Sequence, residues 1–135
     1  MAKSTKPVAE IDLGFGVDAD GRGVAYARSG SSVLRLPFRI AHRPALLDRA
    51  GAYGALVTVA RALLKRGIDR AHFHVPDRQL VDELSKRSQT PDELALAYVR
   101  LRCALNALAH YEIEFGECEE LMQRARAEVA LNLAA

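Results

Sequence analysis

The sequence predicts an α/β fold built on a mixed five-stranded sheet, with its elements in the order βββαβααβα. Three observations lead to this prediction. The first 41 residues contain three segments with strand-like alternation, separated by turns rich in glycine, aspartate and serine. A long segment with helical periodicity and a short strand follow, and further helices and a fifth strand come after them. Because a strand that follows a crossover helix returns parallel to its partner, the sheet should be antiparallel at first and parallel later.

The three opening strands are predicted to form an antiparallel meander over residues 7–15, 24–30 and 33–41. In the first strand, Ile11, Leu13 and Phe15 share one face and Asp12 lies on the other. The third strand alternates most regularly, but it contains Pro37, which has no backbone N–H to donate to a neighbouring strand. Since proline is tolerated at the edge of a sheet, we place this strand at an edge.

The remaining elements are predicted at residues 47–66, 68–75, 77–85, 90–108, 111–115 and 118–133. Gly67 is placed to cap the C-terminus of the first helix. Gly51 and Gly54 lie inside that helix, where glycine costs about 1 kcal/mol relative to alanine. We attribute both to close packing of the helix on the sheet. Thr90, followed by a proline and two acids, has the pattern of a helix N-cap.

We expect one domain over residues 7–135, preceded by a loose tail at residues 1–6. A chain of 135 residues can bury a core without disulfides or metals. Nineteen basic and seventeen acidic residues leave a net charge of +2, which is too small to indicate a nucleic-acid binder by itself. The charge is unevenly distributed, with eight bases and five acids in residues 1–49 but two bases and six acids in residues 112–128.

The cellular setting is predicted from the cysteines and from the apolar segments. Cys103 and Cys118 form neither a disulfide framework nor a paired metal motif, which indicates a reducing compartment. The opening residues, MAKSTKP, are not followed by the apolar run of a signal peptide. No segment approaches the roughly 20 apolar residues of a membrane span. We therefore expect a cytoplasmic protein with no membrane partner.

Three short motifs resemble those of the type I ribonuclease H family. Residues 52–56, Ala-Tyr-Gly-Ala-Leu, correspond to the Glu-Tyr-x-Ala-Leu run in that family's first helix. Residues 76–81, Pro-Asp-Arg-Gln-Leu-Val, correspond to its Ser-Asp-Ser-Gln-Leu-Val run after the fourth strand. Residues 127–134, which begin Ala-Glu-Val-Ala-Leu, correspond to the Ala-Asp-x-Leu-Ala run of its last helix. Each motif is weakly specific alone, but their order and spacing agree over nearly the whole chain.

This resemblance implies a ribonuclease-H-like fold and metal-dependent hydrolysis of the RNA strand of RNA–DNA hybrids. Such an endonuclease holds two Mg²⁺ or Mn²⁺ ions in a carboxylate cluster, where they activate a water and stabilise the leaving oxygen. Members of the family supply one acid from the first strand, one from the first helix, one after the fourth strand and one from the last helix. The corresponding positions here are Asp12, Ala52, Asp77 and Glu128.

The first-helix position departs from the family pattern, because the methyl group of Ala52 cannot bind a metal ion. Asp48 lies one turn earlier on the same helix face. It could replace the missing ligand or cap the start of the helix. The acids at Glu117, Glu119 and Glu120 stand where family members often have a histidine or arginine. They would stabilise the start of the last helix but weaken phosphate binding.

Two functions therefore stay open at the level of sequence. The first is a nuclease with an incomplete metal site formed by Asp12, Asp77, Glu128 and Asp48. The second is an inactive ribonuclease-H-like scaffold that binds protein or nucleic acid, either an RNA–DNA hybrid or another duplex. Arg35 and Arg39 share one face of the third strand and are weak candidates for binding a nucleic-acid backbone. The same edge strand offers a route to a dimer.

Two histidines and one cysteine are further candidates for metal binding or nucleophilic chemistry. His72 and His74 alternate on one face of the fourth strand, as a metal-binding pair would. No cysteine or further histidine lies at ligand spacing, so we expect a partly buried structural role for both. Cys118 stands beside three glutamates, which should raise its pKa and make it a poor thiolate.

Overall fold

The computed structural model describes residues 7–41 and 46–134, without the side chains of the last two of these. The predicted tail at residues 1–6 and the loop around Arg43-Pro44 lie outside the described residues. One sheet contains the strands β1 (Ala9–Val17), β2 (Arg22–Ser29), β3 (Ser32–Arg39), β4 (Arg70–Val75) and β5 (His110–Phe115). Their order across the sheet is β3-β2-β1-β4-β5.

The sheet is mixed, as predicted. β1 pairs with β2, and β2 with β3, in antiparallel directions. β1 pairs with β4, and β4 with β5, in parallel. The strand that contains Pro37 is indeed at an edge of the sheet, where Pro37 lies opposite Val24 of β2.

The helices are α1 (Leu47–Lys65), α2 (Arg78–Leu84), α3 (Ala95–Asn106) and α4 (Glu119–Ala134), with a 3-10 turn (Asp92–Leu94) before α3. The element order βββαβααβα is therefore confirmed. No helix in the part of the chain that the structure describes is both long enough and apolar enough to span a membrane.

Helices cover both faces of β1. Its residues Leu13 and Phe15 point into the main core, which α1, α2 and α3 close. The alternate positions, Gly14 and Gly16, face α4. On that side Leu121 and its neighbours on α4 form a second, smaller core with β2. The predicted apolar face of the first strand is confirmed, while its other face is covered rather than exposed at the glycines.

The glycines allow α4 to lie directly on the backbone of β1. A Cβ atom at Gly14 would come within 2.4 Å of the Leu121 Cβ atom. A Cβ atom at Gly16 would come within 2.9 Å of the carbonyl oxygen of Ala125. Any side chain at either position would therefore push α4 away from the sheet.

Close packing also explains the two glycines inside α1, as predicted. A Cβ atom at Gly54 would lie 2.7 Å from Cγ2 of Ile40, and one at Gly51 would lie 3.3 Å from Cγ2 of Val17. The first contact is too short for any side chain, whereas the second needs only a small shift of a valine methyl group. Glycine destabilises the helix interior, but at these positions it allows α1 to pack closely against its neighbours.

Two predicted helix caps are wrong. The N-cap of α1 is Leu46, which makes no side-chain capping bond, so Asp48 lies in the first turn and does not cap the helix. Thr90 does not cap the following helix, because the 3-10 turn begins after Pro91 without a side-chain cap. The Thr90 hydroxyl instead approaches that of Tyr53 on α1. The Thr90 side chain thus makes a contact with α1 in place of the expected capping bond.

Gly14→Ala should destabilise the protein by about 1–3 kcal/mol, because the added methyl overpacks the contact between β1 and α4. The free energy of unfolding in urea measures this effect. Gly51→Ala is the matched control, since it adds the same methyl group at a position with more room and a higher helix propensity. We expect that variant to lie within about 1 kcal/mol of the wild type. Equal destabilisation by both substitutions would contradict the role given to Gly14.

Candidate functional site

A groove opens where β1 and β4 separate. The two strands are paired only as far as Asp12 opposite His74. Beyond this point a groove of about 490 Å³ lies between the end of β1, the starts of α1 and α2, and α4. Its polar lining consists of Asp48, Arg49, Asp77, Arg78, Gln79 and Arg126. Two of the predicted metal ligands, Asp48 and Asp77, therefore border the same space.

Asp77 has both carboxylate oxygens occupied by groups of the protein. Its Oδ1 accepts a hydrogen bond from the backbone N–H of Leu80 at 3.0 Å and so caps α2. Its Oδ2 lies 3.3 Å from Nε of Arg49. The side chains of Asp77 and Arg49 are mostly buried. The aspartate that the motif marks as catalytic thus holds together the starts of α1 and α2.

Arg49 extends this pairing into the core. Its Nη2 lies 2.5 Å from Oε1 of Glu83, a glutamate that is 4% exposed. The Tyr53 hydroxyl donates to the same oxygen. Burial, and then the hydrogen bond to Glu83, raise the pKa of Tyr53. Arg49 therefore pairs with two carboxylates beside the groove, and the carboxylate of Asp77 is already occupied by groups of the protein.

Glu128 is held on the other side of β1. Nε of Arg35 donates to both of its carboxylate oxygens, at 2.8 and 2.9 Å, and the Tyr26 hydroxyl donates as well. The hydrogen bond from Arg35 lowers the pKa of Glu128. The guanidinium of Arg35, a weak candidate for binding a nucleic-acid backbone, is paired with this glutamate of α4.

Asp12 lies in the middle of the sheet, opposite Arg28 of β2 and His74 of β4. Its Oδ2 is 3.5 Å from Nη2 of Arg28, and Nη1 of the same arginine is 3.5 Å from Glu120 at the start of α4. Asp12 therefore also has an arginine partner, and it belongs to the N-terminal end of α4 rather than to the groove.

The predicted carboxylates do not converge on one point. Among residues 7–41 and 46–132, only Glu10, His72 and His74 form a group of three potential ligands whose atoms all lie within 4.8 Å of one another. A two-magnesium centre needs several carboxylate oxygens around ions about 3.5–4 Å apart. The arrangement of Asp12, Asp77 and Glu128, each beside an arginine, does not fit such a centre.

Ala52 does not line the groove. It is completely buried in the main core, and the residues of α1 that border the groove are Asp48 and Arg49. At the position where the resemblance implies a glutamate, the chain therefore has a buried methyl group that supplies no ligand to the groove. Asp48 does border the groove together with Asp77, but among the described residues neither of them belongs to a group of three potential ligands whose atoms lie within 4.8 Å of one another.

Exposed basic side chains lie along the C-terminal half of α1 and next to it: Arg39, Arg61, Lys65, Arg66 and Arg100. We call these five residues the basic surface. Arg61 joins its two parts, since it lines both a 690 Å³ groove with Arg39 and Arg100 and a 410 Å³ groove with Lys65 and Arg66. Within the described ranges, none of the five forms an ion pair. This distinguishes them from Arg28, Arg35 and Arg49.

Two histidines have carboxylate partners that the sequence did not predict. His72 and His74 are partly buried, as predicted, but Glu10 of β1 and Glu114 of β5 lie against them. Both glutamates are distant in the sequence and become neighbours only through parallel pairing with β4. Their alternation with apolar residues on the two flanking strands is the one signal in the sequence that could have found them.

Cys118 is a poor thiolate, as predicted, but for a different reason. Burial, and after it the charge of Asp12, raise the pKa of Cys118. Its Sγ points to the carbonyl oxygen of His74 at 3.5 Å. Glu119 and Glu120 occupy the first turn of α4, where they stabilise the positive end of the helix dipole.

Two solved ribonuclease H structures are similar to this chain over most of its length. RNase H1 from the halophilic archaeon Halobacterium salinarum NRC-1 gives a TM-score of 0.73 at 16% sequence identity, covering 93% of this chain and 99% of that one. The N-terminal RNase H domain of rv2228c from Mycobacterium tuberculosis, fused to maltose-binding protein, gives 0.65 at 14% identity, covering 94% and 99%. No protein-family model matches the sequence, and no curated protein matches it at a significant level. The chain therefore has the ribonuclease-H-like fold that its motifs predicted.

Glu128→Gln should reduce stability at neutral pH by about 0.5–1 kcal/mol, the range for a partly exposed ion pair. Because the pKa of Glu128 is lowered in the folded state, its contribution is present above the unfolded pKa of about 4.3 and is lost as the pH falls through the folded pKa. Urea unfolding of both proteins at pH 7 and pH 3 measures the difference, with Glu117→Gln as an exposed control. A difference that is equally large at pH 3 would rule out the charged pair as its source.

Proposed function

We propose that this chain is a ribonuclease-H-like domain that binds duplex nucleic acid and does not cleave it by a two-metal mechanism. One observation carries the proposal: Asp12, Asp77 and Glu128 are each paired with an arginine and lie in separate places. A magnesium ion at any of them would compete with a guanidinium and would find too few oxygen ligands among the described residues. The scaffold thus keeps the fold but uses its carboxylates as structural partners.

The proposal of a nucleic-acid partner rests on the fold and on the basic surface. The two similar structures both carry the name ribonuclease H, and the motifs of this chain resemble a family that acts on RNA–DNA hybrids. Five exposed cations on and around α1 supply the charge that phosphates require. We therefore expect an RNA–DNA hybrid or another duplex to lie along α1 with its backbone against Arg61, Lys65 and Arg66.

The geometry of the basic surface favours a backbone over a base-specific contact. Arg61 and Lys65 stand one turn apart on α1, so both point in the same direction. Lysine and arginine at such spacing contact successive phosphates but carry no sequence information. Binding should thus depend strongly on salt and weakly on sequence.

Hydrolysis is tested by incubating the protein with an RNA–DNA hybrid in Mg²⁺ and, separately, in Mn²⁺. We expect no cleavage by folded wild-type protein. Asp77→Asn is the decisive control, because asparagine still caps α2 while its neutral amide cannot serve as an anionic metal ligand. Cleavage by the wild type that disappears in Asp77→Asn would overturn the proposal and favour the nuclease function, with Asp48 as the next residue to replace.

Binding is tested with the double variant Arg61→Gln/Lys65→Gln and a fluorescent hybrid duplex. We expect at least a tenfold loss of affinity near 0.1 M salt, and a slope of log K against log salt that is smaller by about 1–2, since each lost phosphate contact removes about 0.9. Lys86→Gln/Arg87→Gln removes the same charge from two exposed residues that follow α2, and it should bind nearly as the wild type does. Equal losses in the two double variants would mean that net charge, and not the basic surface, governs binding.

A further inference from the structure

We propose that Glu10, His72, His74 and Glu114 form a binding site for a divalent transition-metal ion such as Zn²⁺. The four side chains lie on one face of three neighbouring strands, β1, β4 and β5. This site is separate from the groove at Asp77 and from the basic surface. The proposal of a metal site depends neither on duplex binding nor on hydrolysis by this chain.

Strand register brings the four residues together. On β4, Ala71, Phe73 and Val75 are fully buried in the main core, so His72 and His74 must project from the opposite face. Glu10 lies opposite His72 in the parallel pairing of β1 with β4, and Glu114 lies opposite His74 in the pairing of β4 with β5. The two imidazoles therefore lie between two carboxylates, Glu10 on one side and Glu114 on the other.

Each carboxylate contacts both rings. The Glu10 oxygens lie 3.1 Å from Nδ1 of His72 and 3.1 Å from Nε2 of His74. Oε1 of Glu114 lies 3.4 Å from Nε2 of His72 and 3.1 Å from Nδ1 of His74. Each ring thus presents one nitrogen to Glu10 and the other nitrogen to Glu114, with the ring centroids 4.6 Å apart.

This arrangement matches the way proteins hold zinc. Neutral imidazole nitrogen and carboxylate oxygen bind Zn²⁺ at about 2.0–2.2 Å, which places the donors of a tetrahedral site roughly 3.3–3.6 Å apart. The ligand atoms of Glu10, His72 and His74 all lie within 4.8 Å of one another, so small side-chain rotations suffice. Glu114 would then accept from the other nitrogen of each ring and orient it, as a carboxylate commonly does behind a metal-bound histidine.

The donor set also selects the class of metal. Two imidazoles with one or two carboxylates favour Zn²⁺, Co²⁺ or Ni²⁺ over Mg²⁺ and Ca²⁺, which prefer oxygen ligands. The histidine side chains are 21% and 23% exposed, so they are reachable by an ion yet held in place. Gly116 leaves room for the side chain of His74, since a Cβ atom at residue 116 would lie 2.9 Å from Cβ of His74. Three protein ligands leave a fourth position for water.

The test is a calorimetric titration of metal-free protein with Zn²⁺, followed by Mg²⁺ in a separate titration. We expect one Zn²⁺ per chain, no comparable Mg²⁺ binding, and a higher Tm when Zn²⁺ is present. Co²⁺ should give the absorption spectrum of a four-coordinate ion. A stoichiometry well below one, or equal binding of Mg²⁺, would overturn the proposal.

Variants identify the ligands. Glu10→Gln and His74→Gln should each weaken Zn²⁺ binding by more than 100-fold, and Glu114→Gln by about 10–100-fold as an orienting residue. His110→Gln is the matched control, because His110 lies 3.8 Å from Glu112 at the start of β5 and outside the cluster. Circular dichroism of the metal-free variants checks that they are folded. If Zn²⁺ binding survives in Glu10→Gln and His74→Gln, or falls equally in His110→Gln, the ions are bound elsewhere and the cluster is only structural.

Discussion

The contact of α4 with the bare backbone of β1 determines much of this structure. β1 is the central strand, paired on one side in antiparallel and on the other in parallel directions. Gly14 and Gly16 present only hydrogen atoms to α4, so the helix lies within van der Waals distance of the strand. This close contact also determines which residues of the sheet the side chains of α4 can touch. Glu128 is thereby brought over β2 and toward β3, where Tyr26 and Arg35 hold it, and away from Asp77.

The architecture could be predicted because it depends on local patterns. The apolar alternation of β1, the helical periodicity of α1 and the proline of β3 each describe their own element, and the crossover rule then orders them. The helix starts were less predictable, since Thr90 has every local feature of a cap but meets Tyr53 instead. A cap contributes about 1 kcal/mol, which a tertiary contact readily outweighs.

The site was harder to predict because its decisive contacts join residues that are far apart in the chain. Arg49 and Asp77 are separated by 28 positions, and Arg35 and Glu128 by 93. The motifs reveal which residue types occupy the family positions, but not that an arginine from another element neutralises each acid. Ala52 illustrates the same limit, since its place in the helix was right and its burial in the core was not evident from the motif.

The acids of this sheet have two kinds of partner. Some are paired with arginines, and others lie beside histidines. Where acids face guanidinium groups, as at Asp77 and Glu128, a hard ion must compete with a permanent positive charge that is already hydrogen-bonded in place. Where acids face imidazoles, as at Glu10 and Glu114, the neighbouring group can be neutral and can itself become a ligand. The acids beside arginine are thus occupied by protein cations, whereas the acids beside His72 and His74 of β4 lie next to donors suited to a softer ion.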